Sequence, residues 1–300
     1  MQTATAYLNG EWVPSSELRI AIDDVGFMVG ATVTERLRTF GGKVFRLDEH
    51  LARLRGSLAI IGLASEEIAN QVGQAVTEFV RRNQDLIDPA DDWAIAAFAT
   101  PGVGGTQRPT VCVHGNPLPF HQWATQFETG VPAIVSSIRQ VPTNCWPAEL
   151  KCRSRMHYYL ADREAASTRP GARAIVLDQD GFVAEGTTAN VITYRDGEGI
   201  VTPPHDNVLF GVSLGVVREL TTQLGMPFVT RQLTAHELRS SDEAMLASTS
   251  ICLLPIIECD GAPIGSGQPG PIYQRLLAAW SDLVGVDVAD QARRFATRPI

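Results

Sequence analysis

The chain has 300 residues, of which 44% are hydrophobic and 19% charged, and its formal net charge is −8. That is enough apolar material for one large domain or two ordinary ones. The acidic balance argues against nucleic acid or an anionic membrane held by a broad basic face.

No apolar run approaches the roughly 20 residues a membrane-spanning helix needs, and the first residues lack the basic-then-apolar order of a secretory signal. A cytoplasmic location is therefore expected. From the N-terminus, Ala6 to Val13 reads as a β-hairpin turning on Asn9-Gly10. Leu18 to Ile22 continues as a strand, closed by Asp23-Asp24-Val25-Gly26. Val33 to Phe40 alternates, and Gly41-Gly42 turns it into Lys43 to Leu47. Asp48 stands as the N-cap of a helix from Glu49 to about Ile61, with Leu51, Leu54, Leu58 and Ile61 at helical spacing. Ser65 opens a second helix that runs to Arg82. Strands at Trp93 to Ala99 and Thr110 to His114 flank a glycine-rich loop, Pro101 to Thr106. The run Gly115-Asn116-Pro117-Leu118-Pro119 reads as a linker. It divides a smaller N-terminal α+β domain, 1–114, from a larger C-terminal one, 123–300, with 115–122 between them.

In the second half, Val131 to Arg139 reads as a strand, and a helix follows Lys151 to about Ser167. Ala172 to Asp178 and Phe182 onward form a hairpin on Asp180-Gly181, with further strands near Val191 and Ile200. Ser213 to Leu224 is a helix stopped by Gly225. Glu243 to Ala247 and Leu253 to Glu258 are short strands, and Pro271 to Leu283 is a closing helix. Hairpins mixed unevenly with helices indicate an α+β class. Gly265-Ser266-Gly267-Gln268-Pro269-Gly270 matches a dinucleotide fingerprint, but too little chain follows for the rest of a nucleotide-binding half-domain, so it reads as a loop. Five cysteines without C-x-x-C spacing and six scattered histidines suggest no disulfide framework and no metal site.

Chemistry enters with the lysines. Only Lys43 and Lys151 occur among the 25 basic residues; the others are arginine. Arginine stays charged and is a poor nucleophile, whereas a desolvated lysine can lose its proton and form a Schiff base. Lys43 sits in a hairpin turn, where exposure accounts for it. Lys151 follows a turn-rich segment and precedes a helix. Around it in sequence stand Arg53 on the first long helix, Ala184-Glu185-Gly186-Thr187-Thr188-Ala189-Asn190 after a hairpin, and Leu209-Phe210-Gly211-Val212-Ser213 at a helix start. Ala247-Ser248-Thr249-Ser250 closes a strand with three hydroxyls. A helix start presents free amides to an anion.

From Tyr7-Leu8-Asn9-Gly10 to about Leu283, this set resembles the class IV, or fold type IV, pyridoxal-phosphate aminotransferases. That family includes branched-chain, D-amino-acid and (R)-amine aminotransferases, with aminodeoxychorismate lyase beside them. The matching blocks are Asp24-Val25-Gly26-Phe27, Glu49-His50-Leu51-Ala52-Arg53-Leu54, Lys151 with Glu164-Ala165, Glu185 to Asn190, Asp242-Glu243 and Gly270-Pro271. The resemblance implies a two-domain α+β fold like that of D-amino-acid aminotransferase, its C-terminal domain α/β-barrel-like. It also implies a homodimer and pyridoxal 5′-phosphate as cofactor. Lys151 would form the Schiff base and move the substrate proton, and Glu185 would keep the pyridine nitrogen protonated. Arg53, Val212, Ser213, Ser248 and Thr249 would bind the phosphate.

The implied reaction moves an amino group from an amino acid or primary amine to a 2-oxo acid; elimination of pyruvate by the lyase is the alternative. Substrate-side residues depart from the family. Thr34 replaces the usual Tyr or Phe, Thr100-Pro101-Gly102 replaces an Arg that holds the carboxylate, and Met156 replaces a Tyr. Alternation puts Thr34, Arg36 and Arg38 on one strand face, so Arg36 or Arg38 is expected to take over the carboxylate. Arg108 in the loop is a further candidate. So is Arg155, which matches an arginine of the lyase branch.

Overall fold

A computed structural model describes residues 4–104 and 108–298. Gly105 and Thr106, in the glycine-rich loop, lie outside the described residues. The chain divides into two compact units, Met1–Pro119 with Glu149–Ser154, and Phe120–Ala148 with Arg155–Ile300.

The first unit contains β1 (Thr5–Leu8), β2 (Glu11–Pro14), α1 (Val25–Met28), β3 (Val33–Phe40), β4 (Lys43–Val44), α2 (Leu47–Ile60), α3 (Ser65–Asn83), β5 (Trp93–Thr100) and β6 (Thr110–Pro117). Its strands pair antiparallel in the order β2-β1-β6-β5-β3-β4. Asn9 and Gly10 both take positive φ, 52° and 99°, as a two-residue hairpin turn requires. Helices α2 and α3 cover one sheet face, where Leu54, Leu58, Val72, Val76 and Phe79 meet Val33, Leu37, Ile95 and Val113. Each such side chain taken from water contributes roughly 1.5–3 kcal/mol. Strand alternation sends Glu35 toward these helices and Thr34, Arg36 and Arg38 to the opposite face.

The second unit contains α4 (Gln126–Thr129), β7 (Val131–Arg139), α5 (Met156–Thr168), β8 (Arg173–Leu177), β9 (Val183–Gly186), β10 (Ala189–Arg195), β11 (Gly199–Thr202) and α6 (Val212–Gln223). It continues through β12 (Phe228–Thr230), α7 (Ala235–Arg239), β13 (Glu243–Ser248), β14 (Cys252–Cys259), β15 (Ala262–Pro263), α8 (Pro271–Val284) and α9 (Val288–Phe295). Strands β10, β13, β14, β7, β8 and β9 pair in turn, and β9 pairs back onto β10, so this part of the sheet closes on itself as a barrel. Closure removes free strand edges from the ring.

Four expectations change. Leu18 to Ile22 is not a strand; it pairs with nothing, and Ile20 and Ile22 are exposed. Asp48 lies in the first turn of α2, whose N-cap is Arg46 with φ 52°. The strand β6 runs through Gly115 to Pro117, so the first unit ends only at Pro119 and takes back Glu149–Ser154. α8 does not close the chain, because α9 follows it, capped by the Asp287 side chain on the Asp290 amide.

Candidate active site

Lys151 is pinned by its neighbours. Leu150 packs on the first unit's core. The Lys151 amide donates to Ser57 Oγ of α2 at 3.1 Å, and its carbonyl accepts from the Thr34 amide at 2.9 Å. Cys152 bridges Val33, and the Arg153 amide donates to Thr32 O at 2.9 Å. Ser154 Oγ then reaches Gly30 O at 2.8 Å. Residues 150–154 thus run along the start of β3 as a short added edge. The helix predicted right after Lys151 starts only at Met156, because these backbone groups are committed to β3.

Beside that segment lies a buried triad. Glu35, 1% exposed, accepts from Arg53 Nε at 2.8 Å and Nη2 at 2.7 Å, and its Oε2 lies 2.7 Å from His50 Nδ1. Burial alone would raise the Glu35 carboxyl; the Arg53 charge and hydrogen bonds, joined by His50, overcome it and hold it at about 2. Burial lowers the pKa of His50, more than Glu35 raises it, and the charges of Arg53 and Lys151 act in the same downward direction. Neutral His50 therefore donates from Nδ1, and its bare Nε2 is buried without a protein partner among the described residues. Arg53 is thus a guanidinium oriented by Glu35.

The substrate-side candidates separate. Thr34 donates its hydroxyl to Ala97 O at 3.0 Å. Arg38 is fully buried; it lies 3.5 Å from Asp92, donates to Thr39 O at 3.1 Å and stacks 3.8 Å over Phe40. Those partners make Arg38 a strut and remove it from the substrate candidates. Arg36 is half-buried and keeps its place among them. Arg108 is exposed, its carbonyl pressed against Gly102. Arg155 belongs to the second unit, where it donates to Thr187 O at 2.6 Å and lies 5.1 Å over the Tyr158 ring. That engagement makes it a support for the turn after Glu185.

Glu185, on β9, is buried at the centre of a network that sequence reasoning missed. Tyr158 of α5 donates to its Oε1 at 2.7 Å, and Gln140 Nε2 donates to the same oxygen. Gln140 Nε2 also reaches Tyr158 Oη at 2.9 Å, while its Oε1 lies 2.9 Å from His157 Nε2. Burial, then the Glu185 charge, raises Tyr158 well above its ordinary value, so it stays a donor. Burial and the Arg155 charge lower His157, which is then neutral and donates from Nε2. A Tyr two residues into a helix and a Gln just past a strand carry no motif, so only the fold brings them to Glu185.

Two long helices of this unit start after glycine with no side-chain N-cap, and they differ in what meets their amides. At α8 the Glu243 carboxylate accepts from the Ile272 and Tyr273 amides, both at 2.8 Å. At α6 the amides of Val212, Ser213 and Leu214 have no acceptor among the described residues. The Ser213, Ser248 and Thr249 hydroxyls likewise make no hydrogen bond among them. Asn190 holds the approach to α6, donating to Leu209 O at 2.8 Å. A Cβ on Gly211 would come within 2.2 Å of Asn190 Oδ1. Across the strands, Glu185 pairs with Asn190 and Asn190 with Ala247. Ser248 is therefore about two strand spacings, roughly 10 Å, from Glu185.

A sequence model of the family described as Amino-transferase class IV matches residues 32–259. The chain belongs to this family. As a class IV aminotransferase it is an enzyme, and its cofactor is pyridoxal 5′-phosphate. It is 28% identical over 278 residues to a D-alanine aminotransferase of Bacillus licheniformis, covering 90% of this chain and 94% of that one. Its fold is similar to the T.th. branched-chain amino acid aminotransferase complexed with N-(5′-phosphopyridoxyl)-L-glutamate, with TM-score 0.83, 26% identity and 95% of each chain covered. The branched-chain aminotransferase of Thermoproteus uzoniensis with norvaline aligns at TM-score 0.81 and 29% identity, covering 98% of this chain and 95% of that one. These relatives are aminotransferases, which does not favour the lyase alternative.

The residues of this class IV aminotransferase fit the cofactor. Open amides and idle hydroxyls at α6 and Ser248–Thr249 suit a phosphate dianion. A buried carboxylate oriented by two donors suits a pyridinium. Among the described residues no group of three His, Cys, Asp or Glu side chains could hold a metal ion, and no helix is long and apolar enough to cross a membrane.

Proposed function

We propose that this enzyme transfers an amino group between an amino acid or primary amine and a 2-oxo acid, with Lys151 as its covalent and acid–base residue. The observation that carries the reading is the main-chain clamp on Lys151 between Ser57 of α2 and Thr34 of β3. A residue held at both its N–H and its C=O has a fixed pivot, so only the side chain moves. When bound, pyridoxal phosphate supplies an electron sink for the pair left on the substrate Cα. Lys151 takes the proton from that carbon and returns it to the other side of the exchange. Glu185 holds a proton at the pyridine nitrogen, and Tyr158 and Gln140 keep its carboxylate aimed. The amides of Val212 and Ser213, the Ser213, Ser248 and Thr249 hydroxyls and the Arg53 guanidinium hold the phosphate.

We further propose that the enzyme works in the cytoplasm as a homodimer. The apolar run Ile22, Phe27, Met28 and Val29, exposed at 81%, 71%, 65% and 71%, supports an interface there. Sedimentation at a monomer mass would remove that part. The reaction itself is tested by mixing the cofactor-loaded protein with D- and L-amino acids and (R)-amines without any oxo acid. One equivalent of oxo product per protomer is expected from the true donor, and none from Lys151→Ala. Borohydride should fix the cofactor to the peptide carrying Lys151; fixation elsewhere, or no product from any donor, overturns the reading.

A further inference from the structure

Gln140, the first residue past β7, has both of its main-chain groups fixed. Its amide donates to Leu177 O of β8 at 2.8 Å, and its carbonyl accepts from Gln179 Nε2 at 2.6 Å. With the pivot held, what remains open is which end of the side-chain amide faces which neighbour. The Val141 backbone N–H decides it. That group can only donate, and it lies 3.2 Å from Gln140 Oε1. Turning the amide over would set its NH2 against the N–H, so the oxygen faces Val141 and the nitrogen faces the other way.

The rest of the network inherits this direction. Gln140 Oε1 has a second lone pair, and His157 Nε2 lies 2.9 Å from it. That nitrogen therefore carries a proton whether the imidazole is neutral or charged. The His157 ring lies 3.9 Å from the Tyr158 ring, tilted by 41°, which braces the donor. Gln140 Nε2 directs its two hydrogens to Tyr158 Oη, at 2.9 Å, and to Glu185 Oε1. Tyr158 Oη accepts that bond and turns its own proton to Glu185 Oε1 at 2.7 Å. Two donors thus meet one carboxylate oxygen, and a proton placed on that oxygen would point at one of them. Hydrogen bonds made to the charged form favour it. The polarity of the whole chain starts at a backbone amide, so it does not reverse.

We infer that His157 and Gln140 are positioning residues for amino transfer, a one-way hydrogen-bond relay that keeps Glu185 ionised and its shared proton on the pyridine nitrogen. This rests on the reading of Glu185 as the partner of that nitrogen, and the experiment separates the two. The enzyme is loaded with pyridoxal phosphate isotopically labelled at the ring nitrogen. The nitrogen NMR resonance follows the position of the proton between ring and carboxylate and needs no turnover. Gln140→Leu removes one charge-assisted donor at similar volume. The resonance should move toward the unprotonated value, and kcat should fall roughly tenfold with the cofactor still bound. His157→Leu should move the resonance the same way by a smaller step, with kcat down roughly threefold. His157→Gln, which can donate from its own amide, should stay closer to the unaltered enzyme than His157→Leu does. A resonance unmoved in either Leu variant overturns the relay. Equal displacement in His157→Gln and His157→Leu overturns it too, because packing and not donation would then be at work. Should Gln140→Leu fail to fold, His157→Leu, at a half-buried position, decides by itself. Glu185→Gln must move the resonance furthest. If it leaves the resonance in place, the pairing of Glu185 with the ring falls; if it moves it while the Leu variants do not, the relay alone falls.

Discussion

Replacing Glu35 by Gln tests the buried triad that orients Arg53. The carboxylate is held at about 2 against an ordinary 4.5. With the group 1% exposed, that displacement is worth on the order of 3 kcal/mol of stability at neutral pH. A second route agrees: breaking a buried ion pair costs about 3–5 kcal/mol, and Arg53 at 13% exposure belongs near the lower end. The sign follows from the lowered pKa. The contribution is complete above pH 4.5 and is lost as the pH falls toward about 2. Hydrogen exchange of the β3 and α2 amides reads the first unit by itself. Glu35→Gln should lose about 3 kcal/mol there at pH 7, and the gap from the unaltered protein should close between pH 4.5 and 2. A variant as protected as the parent at pH 7, or a gap indifferent to pH, would refute the reasoning. Cofactor affinity should also fall, since the neutral amide keeps at most one of the two acceptors that orient Arg53 and none of their charge.

Other expectations are narrower. Gly211→Ala drives a Cβ to 2.2 Å from Asn190 Oδ1, so cofactor affinity by fluorescence titration should drop about tenfold as the α6 amides shift; unchanged affinity would mean these amides do not hold the phosphate. Tyr158→Phe removes the 2.7 Å donor to Glu185, and kcat should fall roughly tenfold with cofactor retained. An unchanged kcat would leave Tyr158 as packing only. Glu243→Ala strips two amides of α8 of their acceptor, and thermal unfolding should report a loss of about 2 kcal/mol without change in cofactor affinity.

Local patterns explain what is legible in the chain. Asn9-Gly10 and the alternation of Val33 to Phe40 each determine a conformation from neighbouring residues alone, and the structure has a hairpin and a strand there. Leu18 to Ile22 has a strand's composition but no partner strand, and partners are not written in the segment itself. The same reason hides the return of Glu149–Ser154 to the first unit, which depends on backbone bonds to Thr32, Thr34 and Ser57 more than 90 residues away. At the site, Lys151 is visible because lysine is rare in this chain. Gln140, His157 and Tyr158 are not, because ordinary polar residues acquire their role only from the placement of β7, α5 and β9.

Four arginines that read alike in sequence show how partners decide a role. Arg53, Arg38 and Arg155 each meet an acceptor inside their own unit: Glu35, Asp92 and the Thr187 carbonyl. Each thereby fixes something else, respectively the orientation of a guanidinium on α2, the end of a strand, and the turn after Glu185. Arg36 shares a strand and a face with Arg38, yet its cross-strand partner is Ala96, which offers it nothing to bond. A half-buried guanidinium costs solvation whether or not it is paired. Among the described residues no carboxylate bonds Arg36, so neighbours on its own strand and sheet leave its charge uncompensated where they compensate that of Arg38.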